Sequence, residues 1–175
     1  MKKITLWLFA LFTCWQMTAQ VGVVQNFDSG TGTPAGWTVT GGGYVATTET
    51  CSGNSSITNL YSFNTTGSIV TPNQVASSNG TDLTVSFDYK IENYASTVAT
   101  SSGWGNIQVQ YSTNNGGAWT TFFTINDANH VAANTCANFT NIIPGASLPL
   151  GSDVKIRLLY TWVAGDYDIY LDNFS

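Results

Sequence analysis

Charged residues are scarce in this sequence, and positively charged ones are the scarcest. The 175 residues include 5 Lys and Arg, 10 Asp and Glu and 1 His, and charged residues make up 9% of the chain. Proteins that bind nucleic acid or anionic lipid surfaces carry a broad basic patch, which so few cations cannot form. We therefore exclude nucleic acid as a partner and expect the acidic residues to serve solubility or a bound cation.

A membrane-spanning segment is also missing, because the longest apolar run is too short to cross a bilayer. This run covers Ile4–Trp15, follows Lys2–Lys3 and is succeeded by the small residue Ala19. The arrangement is typical of a signal peptide that is cleaved before or just after Gln20. We therefore predict that residues 1–20 are removed on export and that the mature chain is secreted or displayed at the cell surface.

Cysteine is rare once the leader is gone, since only Cys51 and Cys136 remain. An exported chain folds in an oxidising environment, where two cysteines commonly form a disulfide. A bridge between these two would close a long loop and stabilise the fold by about 4–5 kcal/mol on the chain-entropy model. The alternative interpretation is a pair of unbridged, buried thiols.

What the sequence has in abundance is alternation of apolar and polar residues, and it is clearest over residues 106–125. Apolar residues occupy every second position from Ile107 to Tyr111, as in a half-buried strand. Asn115-Gly116 is a strong hairpin signal. A three-residue loop that ends at Gly117 keeps one face of the hairpin apolar and requires Gly117 to adopt the left-handed conformation. The predicted opposite pairs are Tyr111 with Thr121, Val109 with Phe123 and Ile107 with Ile125.

Two further strands, Leu83–Ile91 and Asp153–Val163, share this alternation, and the mature part has no helical periodicity. Roughly ten short apolar-faced segments are separated by turn-forming residues, which is typical of an all-β chain. Each strand has one apolar face to hide, and two packed antiparallel sheets hide all of them. The predicted fold is therefore all-β, a two-sheet antiparallel jelly-roll-like β-sandwich.

The outward side of the segment Asp153–Val163 carries two of the few cations, Lys155 and Arg157. If this strand lies beside Leu83–Ile91, the two cations would pair with Asp88 and Glu92. Such exposed pairs contribute only about 0–1 kcal/mol.

Residues 21–175 have the length of one domain. The chain stops at Phe174-Ser175 with no polar tail. We therefore expect this domain to be a fragment of a longer exported protein that has other domains.

Several short motifs, taken in order, resemble one family. They are Phe27-Asp28, Pro34-Ala35-Gly36-Trp37, Leu83–Asp88, Val109–Ser112 and Ile169–Phe174. Their order and spacing resemble the cleaved-adhesin or MAM-like jelly-roll domains of large exported proteins of the Bacteroidetes type, over nearly all of residues 21–175. The resemblance implies a β-sandwich that binds or displays and has no catalytic centre. It also implies structural calcium where the first and last strands meet, with Asp28 and Asp172 as its ligands.

The residues themselves leave the calcium site open. Calcium takes several oxygen ligands, including carboxylates and carbonyls, and Asp28 lies in a glycine-rich loop whose carbonyls are accessible. Asp166, Asp168 and Asp172 follow near the other end of the chain. Asp168 and Asp172 share a strand face about 13 Å apart, too far for one ion to bind both. The alternative interpretation is a set of solvated surface carboxylates.

Aromatic residues in the long loop Glu92–Gly105, between the strand Leu83–Ile91 and the hairpin, are the candidates for ligand contact. This loop carries Tyr94 and Trp104, whose rings could stack on sugars or pack on a protein partner. The alternative interpretation for Trp104 is a core residue that closes one end of the sandwich.

Catalytic constellations are not evident in this sequence. His130 is the sole histidine, no Gly-x-Ser-x-Gly motif is present, and we expect His130 to be exposed in a polar loop. A glycosidase needs two carboxyls about 5–9.5 Å apart, and the two glutamates, Glu49 and Glu92, are far apart in sequence. We predict a non-catalytic adhesion or binding module for an extracellular glycan or protein. The alternatives are a structural spacer without a ligand and, least favoured, a glycoside hydrolase.

Overall fold

The computed structural model describes residues 21–47, 50–130 and 133–175, and these residues fold as an all-β domain. The strands are β1 (Thr38–Thr40), β2 (Tyr44–Ala46), β3 (Ser55–Leu60), β4 (Thr66–Val70), β5 (Leu83–Asn93), β6 (Gly105–Ser112), β7 (Thr120–Ile125), β8 (Ala137–Ile143), β9 (Lys155–Trp162) and β10 (Tyr167–Asp172). A single turn of 3-10 helix covers Gly145–Ser147. Within the described ranges, no helix has the length and apolarity needed to cross a membrane.

The strands form two five-stranded sheets. The front sheet has the order β1-β4-β9-β6-β7, and the back sheet has the order β2-β3-β10-β5-β8. All pairs of neighbouring strands are antiparallel. The chain passes repeatedly from one sheet to the other, so the predicted two-sheet, jelly-roll-like β-sandwich is confirmed.

The core lies between the sheets because alternate residues of each strand point inward. From the front sheet, Val109 and Leu158 are 0% and 1% exposed, and from the back sheet, Phe87 and Ile91 are 0% exposed. Burial of each such side chain is worth about 1.5–3 kcal/mol relative to leaving it in water. The alternation seen in the sequence therefore determines which face of each strand turns inward. Burial of that apolar face is the main source of stability.

The hairpin formed by β6 and β7 has most of the predicted register. The pairs Ile107 with Ile125 and Val109 with Phe123 are confirmed, whereas Tyr111 pairs with Thr120 and not with Thr121. A β-bulge after Val109 leaves Phe122 without an opposite residue and shifts the register by one. The positive φ angles fall on Asn115 (59°) and Gly116 (90°), so the prediction for Gly117 was wrong. These two are the central residues of the turn.

One expectation about neighbouring strands was also wrong. Strands β9 and β5 belong to different sheets, so Lys155 and Arg157 cannot pair with Asp88 and Glu92. Glu92 instead pairs with Lys90 of its own strand, with the Lys90 Nζ atom 2.9 Å from Glu92 Oε2. The spacing of the two residues puts both side chains on the outer surface of the back sheet, where they neutralise each other.

The predicted disulfide between Cys51 and Cys136 is confirmed. The two Cα atoms are 5.5 Å apart, and the residues are separated by 85 positions in sequence. The bridge joins the segment before β3 to the segment before β8, although β10 and β5 lie between these strands in the back sheet. It therefore ties the loop that carries Cys51 across the outer surface of that sheet.

Candidate functional site

The two predicted metal ligands, Asp28 and Asp172, are linked by one short loop. The backbone N–H of Asn54 donates to Asp28 Oδ1 at 2.8 Å. The backbone N–H and the hydroxyl of Ser52 both donate to Asp172 Oδ2 at 2.9 Å. The loop that follows Cys51 therefore contacts both carboxylates and holds them at the same end of the sandwich.

The electrostatics of this pair favour a cation. Burial raises the pKa of Asp172, hydrogen bonds from Ser52 and Asn173 oppose that rise, and the nearby Asp28 carboxylate raises the pKa further. The atoms on offer are carboxylate, hydroxyl and carbonyl oxygens, which are the ligands that calcium prefers. In the described part of the chain, no third His, Cys, Asp or Glu completes a metal-sized cluster with them.

The two predicted ligand-binding aromatics lie in different environments. Tyr94 is 59% exposed, whereas Trp104 is 1% exposed. The Trp104 ring packs edge-on against Tyr167 at 6.0 Å between centroids, and the Tyr167 hydroxyl donates to the Trp104 carbonyl at 2.6 Å. Trp104 is thus a core residue, as in the alternative interpretation, and its ring is not available to stack on a sugar.

Tyr94 lies at one end of the sandwich, where three loops meet. The register places the ends of β3, β10 and β5 side by side, and the N–H of Tyr94 donates to the carbonyl of Asp166 at 3.0 Å. The same end carries Phe63, which is 91% exposed, and Tyr61, whose ring packs on Phe63 at 6.2 Å. We call Tyr61, Phe63 and Tyr94 the aromatic end.

His130 is buried rather than exposed, so the expectation from sequence was wrong. Its side chain is 6% exposed, and Nδ1 lies 3.0 Å from the hydroxyl of Tyr89. Burial lowers the pKa of His130, while the charge of Asp127 acts in the opposite direction. The loop folds over the end of the core and carries His130 in beside Trp104, so this histidine is structural.

The outer surface of the front sheet carries an ordered set of polar side chains that the sequence analysis did not single out. In one row across the sheet lie Thr38, Val70, Arg157, Gln110 and Thr121, and in the next lie Thr40, Ser68, Leu159, Gln108 and Thr124. We call these ten residues the polar face. Hydroxyl, amide and guanidinium groups dominate it, with two aliphatic side chains between them.

A hydrogen-bond network occupies the centre of the polar face. Arg157 Nε donates to Gln110 Oε1 at 2.6 Å. Gln110 Nε2 in turn donates to Gln108 Oε1 and to Thr121 Oγ1, both at 2.9 Å. The guanidinium of Arg157 lies over the ring of Trp119, with Cζ 4.3 Å from the ring centroid. These contacts hold the amide and guanidinium groups in fixed orientations.

Such a surface is chemically suited to a hydroxyl-rich ligand. Side-chain amides both donate and accept hydrogen bonds, hydroxyls do the same, and arginine offers a fork of donors. Groups that are fixed before binding lose little conformational entropy when a ligand arrives. The central residues of the face lie on β4, β9 and β6, each of which has a neighbouring strand on both sides.

One cavity, of about 220 Å³, lies beside the first described residues and is unsuited to a sugar. Its lining is mainly aliphatic and includes Val21, Val23, Leu83, Val85, Val154 and Ile156. The polar side chains that line it are those of Thr71, Gln74, Thr84 and Ser175. A sugar needs a hydrogen-bond partner for most of its hydroxyls, and this cavity offers few.

No protein-family model matches this sequence, and no curated protein matches it. The fold, however, is similar to several solved structures. One is a carbohydrate-binding module from the β-sandwich superfamily, with a TM-score of 0.59 and 13% identity. The match covers 91% of this chain but only 62% of that one.

Two further structures match over most of both chains. The K1 cleaved adhesin domain of Lys-gingipain from Porphyromonas gingivalis W83 has a TM-score of 0.59 and 14% identity, over 87% of this chain and 95% of that domain. TmCBM61, solved in complex with β-1,4-galactotriose, has a TM-score of 0.56 and 15% identity. This match covers 86% of the present chain and 92% of TmCBM61. The domain therefore has the β-sandwich architecture of carbohydrate-binding modules and cleaved adhesin domains.

Proposed function

We propose that this domain is a non-catalytic carbohydrate-binding module that holds a glycan against the polar face. The observation that carries the proposal is the fixed network of Arg157, Gln110, Gln108 and Thr121 on the outside of the front sheet. Similarity to a carbohydrate-binding module and to TmCBM61 supports a sugar as the ligand. Similarity to a cleaved adhesin domain supports a role in adhesion.

The polar face supplies binding energy mainly through hydrogen bonds. Each neutral hydrogen bond contributes about 0.5–1.5 kcal/mol net, and bonds to a charged group about 1.5–3 kcal/mol. Leu159 and Val70 lie between the polar groups and offer apolar surface to the C–H faces of a sugar ring. A few such contacts are enough for the micromolar binding that corresponds to roughly 8 kcal/mol.

A protein ligand is the second candidate, and the aromatic end favours it. Phe63 and Tyr94 are 91% and 59% exposed, and exposed aromatics are enriched where proteins associate. Under this second candidate, Tyr94 is retained as a contact residue for a protein surface. The two candidates use different surfaces of the molecule and can be separated by variants.

A structural calcium ion is part of the proposal. Asp28 and Asp172 would hold it, together with oxygens of the loop that contains Ser52. A bound dication would remove the repulsion between the two carboxylates and would fasten that loop to the end of β10. The resemblance of the sequence motifs to cleaved-adhesin domains supports this assignment.

We further propose that the domain acts outside the cell, as one module of a larger exported protein. The pattern of residues 1–20, which lie outside the described ranges, supports a signal peptide. The disulfide between Cys51 and Cys136 is of the kind that persists in oxidising compartments.

The hydrolase alternative depends on two carboxyls that face a substrate, and Glu92 does not meet this condition. Glu92 is 1% exposed, and its carboxylate lies 2.9 Å from Lys90 Nζ, so it is not accessible to a substrate. Glu49 lies outside the described residues. The alternative of a structural spacer predicts that the domain binds neither a glycan nor a matrix protein.

Binding to a glycan array, followed by calorimetry with the best glycans, tests the proposal. The wild type should bind at least one glycan, and Gln110→Ala should weaken that binding about tenfold, as expected for loss of about 1.4 kcal/mol. Tyr94→Ala is the matched control on the aromatic end and should bind as the wild type does. If Tyr94→Ala weakened glycan binding about tenfold and Gln110→Ala left it unchanged, the glycan site would lie at the aromatic end.

A further inference from the structure

The cations of the mature chain are distributed unevenly. The 5 Lys and Arg include Lys2 and Lys3, so the mature chain keeps three against 10 acids, and 3 − 10 gives a formal charge of −7. Lys90 is buried in an ion pair with Glu92. The other two, Lys155 and Arg157, lie two positions apart on β9 and project from the outer surface of the front sheet.

The acidic residues lie elsewhere. None of the ten residues of the polar face is Asp or Glu. Asp88, Glu92, Asp168 and Asp172 lie on β5 and β10 of the back sheet, and Asp28, Asp82, Asp127 and Asp166 lie in connecting segments. A strongly acidic domain therefore has one surface, among the described residues, on which positive charge prevails.

Asp153 limits the contribution of Lys155. It precedes β9, and its carboxylate accepts hydrogen bonds from Asn73 Nδ2 at 3.0 Å and from the N–H of Ala76 at 2.8 Å. The hydrogen bonds from Asn73 and Ala76 lower the pKa of Asp153, and the charge of Lys155 adds to this shift. Lys155 is therefore partly neutralised by a neighbour, and Arg157 is the cation of the polar face that lacks an acidic partner.

The guanidinium of Arg157 is oriented for a planar anion. Its Nε is occupied by Gln110, and its flat side is held over Trp119. In the described part of the chain, Arg157 forms no ion pair, and neither terminal nitrogen donates a hydrogen bond to the protein. The two terminal nitrogens form the fork that matches the two oxygens of a carboxylate.

We infer that the glycan bound by the polar face is acidic, with a uronic-acid carboxylate paired to the terminal nitrogens of Arg157. This inference rests on the proposed function and specifies its ligand class. The partly exposed Gln108 then faces the ring hydroxyls, whereas Gln110, which is 5% exposed, holds Arg157 in place through its own amide. A carboxylate places both of its oxygens in the plane of the fork, where the two terminal nitrogens bind them side by side. A tetrahedral oxyanion such as a sulfate ester also offers two oxygens to this fork, and the sulfated arm of the experiment separates the two groups.

Matched ligands and matched variants test the inference. Calorimetry would compare oligomers of galacturonate, mannuronate and glucuronate with the same oligomers after reduction of the carboxyl to the alcohol. Sulfated oligosaccharides and neutral galactan, xylan and cellulose oligomers form the other arms. The wild type, Arg157→Gln and Lys155→Gln would be titrated with each, after thermal melts confirm that both variants fold.

The expected result is that at least one uronate oligomer binds and that carboxyl reduction weakens its binding tenfold or more. Arg157→Gln should have a similar effect, and Lys155→Gln should change the affinity less than threefold. The ligand arm uses the wild-type protein, so it remains decisive even if Arg157→Gln fails to fold.

Three results would overturn the inference. Equal binding of uronate and reduced oligomers would show that the carboxylate is not recognised, while the proposed glycan binding would stand. Tighter binding of sulfated oligomers that Arg157→Gln abolishes would assign the fork to sulfate. Absence of binding in every arm, neutral ones included, would overturn both the acidic ligand and the carbohydrate-binding function.

Discussion

The guanidinium of Arg157 lies 4.3 Å from the centre of the Trp119 ring. Arg157 belongs to β9, whereas Trp119 closes the hairpin between β6 and β7, so this contact joins two separate parts of the front sheet. Cation–π contacts of this kind contribute about 0.5–2 kcal/mol. The contact also orients the terminal nitrogens of Arg157. The hairpin that carries Trp119 therefore helps to shape the proposed binding surface.

Replacement of Trp119 should therefore weaken both glycan binding and the stability of the fold. Trp119→Ala removes the surface on which the guanidinium rests, and we expect the free energy of unfolding to fall by about 1–2 kcal/mol. Glycan affinity should fall about tenfold or more, because Arg157 regains its rotamer freedom. Trp119→Phe keeps a ring and should retain most of both, as urea denaturation and calorimetry would show. Unchanged affinity in Trp119→Ala would separate Trp119 from the site.

Reduction of the disulfide should destabilise the domain strongly. The bridge between Cys51 and Cys136 closes a loop over a sequence separation of 85, for which the chain-entropy model gives about 4–5 kcal/mol. The double variant Cys51→Ser, Cys136→Ser should lose this amount in urea denaturation. Dithiothreitol should destabilise the wild type by the same amount and leave the variant unchanged. A loss below about 1 kcal/mol would mean that the bridge constrains the unfolded chain little.

Much of the fold could be predicted from the sequence, because strand faces are a local property. The alternation in Leu83–Ile91 and residues 106–125 already fixes which residues turn inward. The pairing of Cys51 with Cys136 followed from the count of cysteines and the oxidising environment. What local alternation does not specify is which strands become neighbours.

The polar face was missed for that reason. Gln108 and Gln110 are visible in the sequence only as the polar half of a strand, and Lys155 and Arg157 only as the polar half of another. Their significance depends on β6 lying beside β9 in the register that sets Gln110 opposite Arg157. The expectation that these cations face Asp88 failed because strand order within the sheets is a non-local outcome.

Acidification should destabilise the domain through His130. Burial lowers the pKa of His130 in the folded state, whereas the unfolded chain binds a proton near the ordinary pKa of about 6.5. Below that pH, the unfolded state holds more protons, so the free energy of unfolding decreases as pH falls. His130→Gln should remove this slope below about pH 6.5.

Asp172 acts with the opposite sign, because a raised pKa favours the folded state as pH falls. The difference between the wild type and His130→Gln, measured by urea denaturation at several pH values, isolates the histidine. Parallel profiles for the two proteins would show that His130 does not titrate differently on folding.

Calcium should stabilise the domain if Asp28 and Asp172 bind it. A ligand that binds only the folded state at one hundred times its dissociation constant stabilises it by about 2.7 kcal/mol. A chelator should lower the melting temperature, and added calcium should restore it. Asp172→Asn should abolish the response, whereas Asp166→Asn, at the opposite end of β10, should keep it. A melting temperature indifferent to chelator and to calcium would exclude a structural ion.

Trp104→Ala and Tyr94→Ala should affect different properties of the domain, namely stability for Trp104 and ligand binding for Tyr94. Trp104 is 1% exposed and packs against Tyr167 and His130, so Trp104→Ala should destabilise the domain by about 3–5 kcal/mol through loss of burial and the cavity left behind. Tyr94 is 59% exposed, so Tyr94→Ala should change stability by less than about 0.5 kcal/mol. Loss of binding to a protein ligand in Tyr94→Ala, at unchanged stability and glycan affinity, would assign the aromatic end to protein recognition. A Trp104→Ala protein that is as stable as the wild type would contradict the position of this ring in the core.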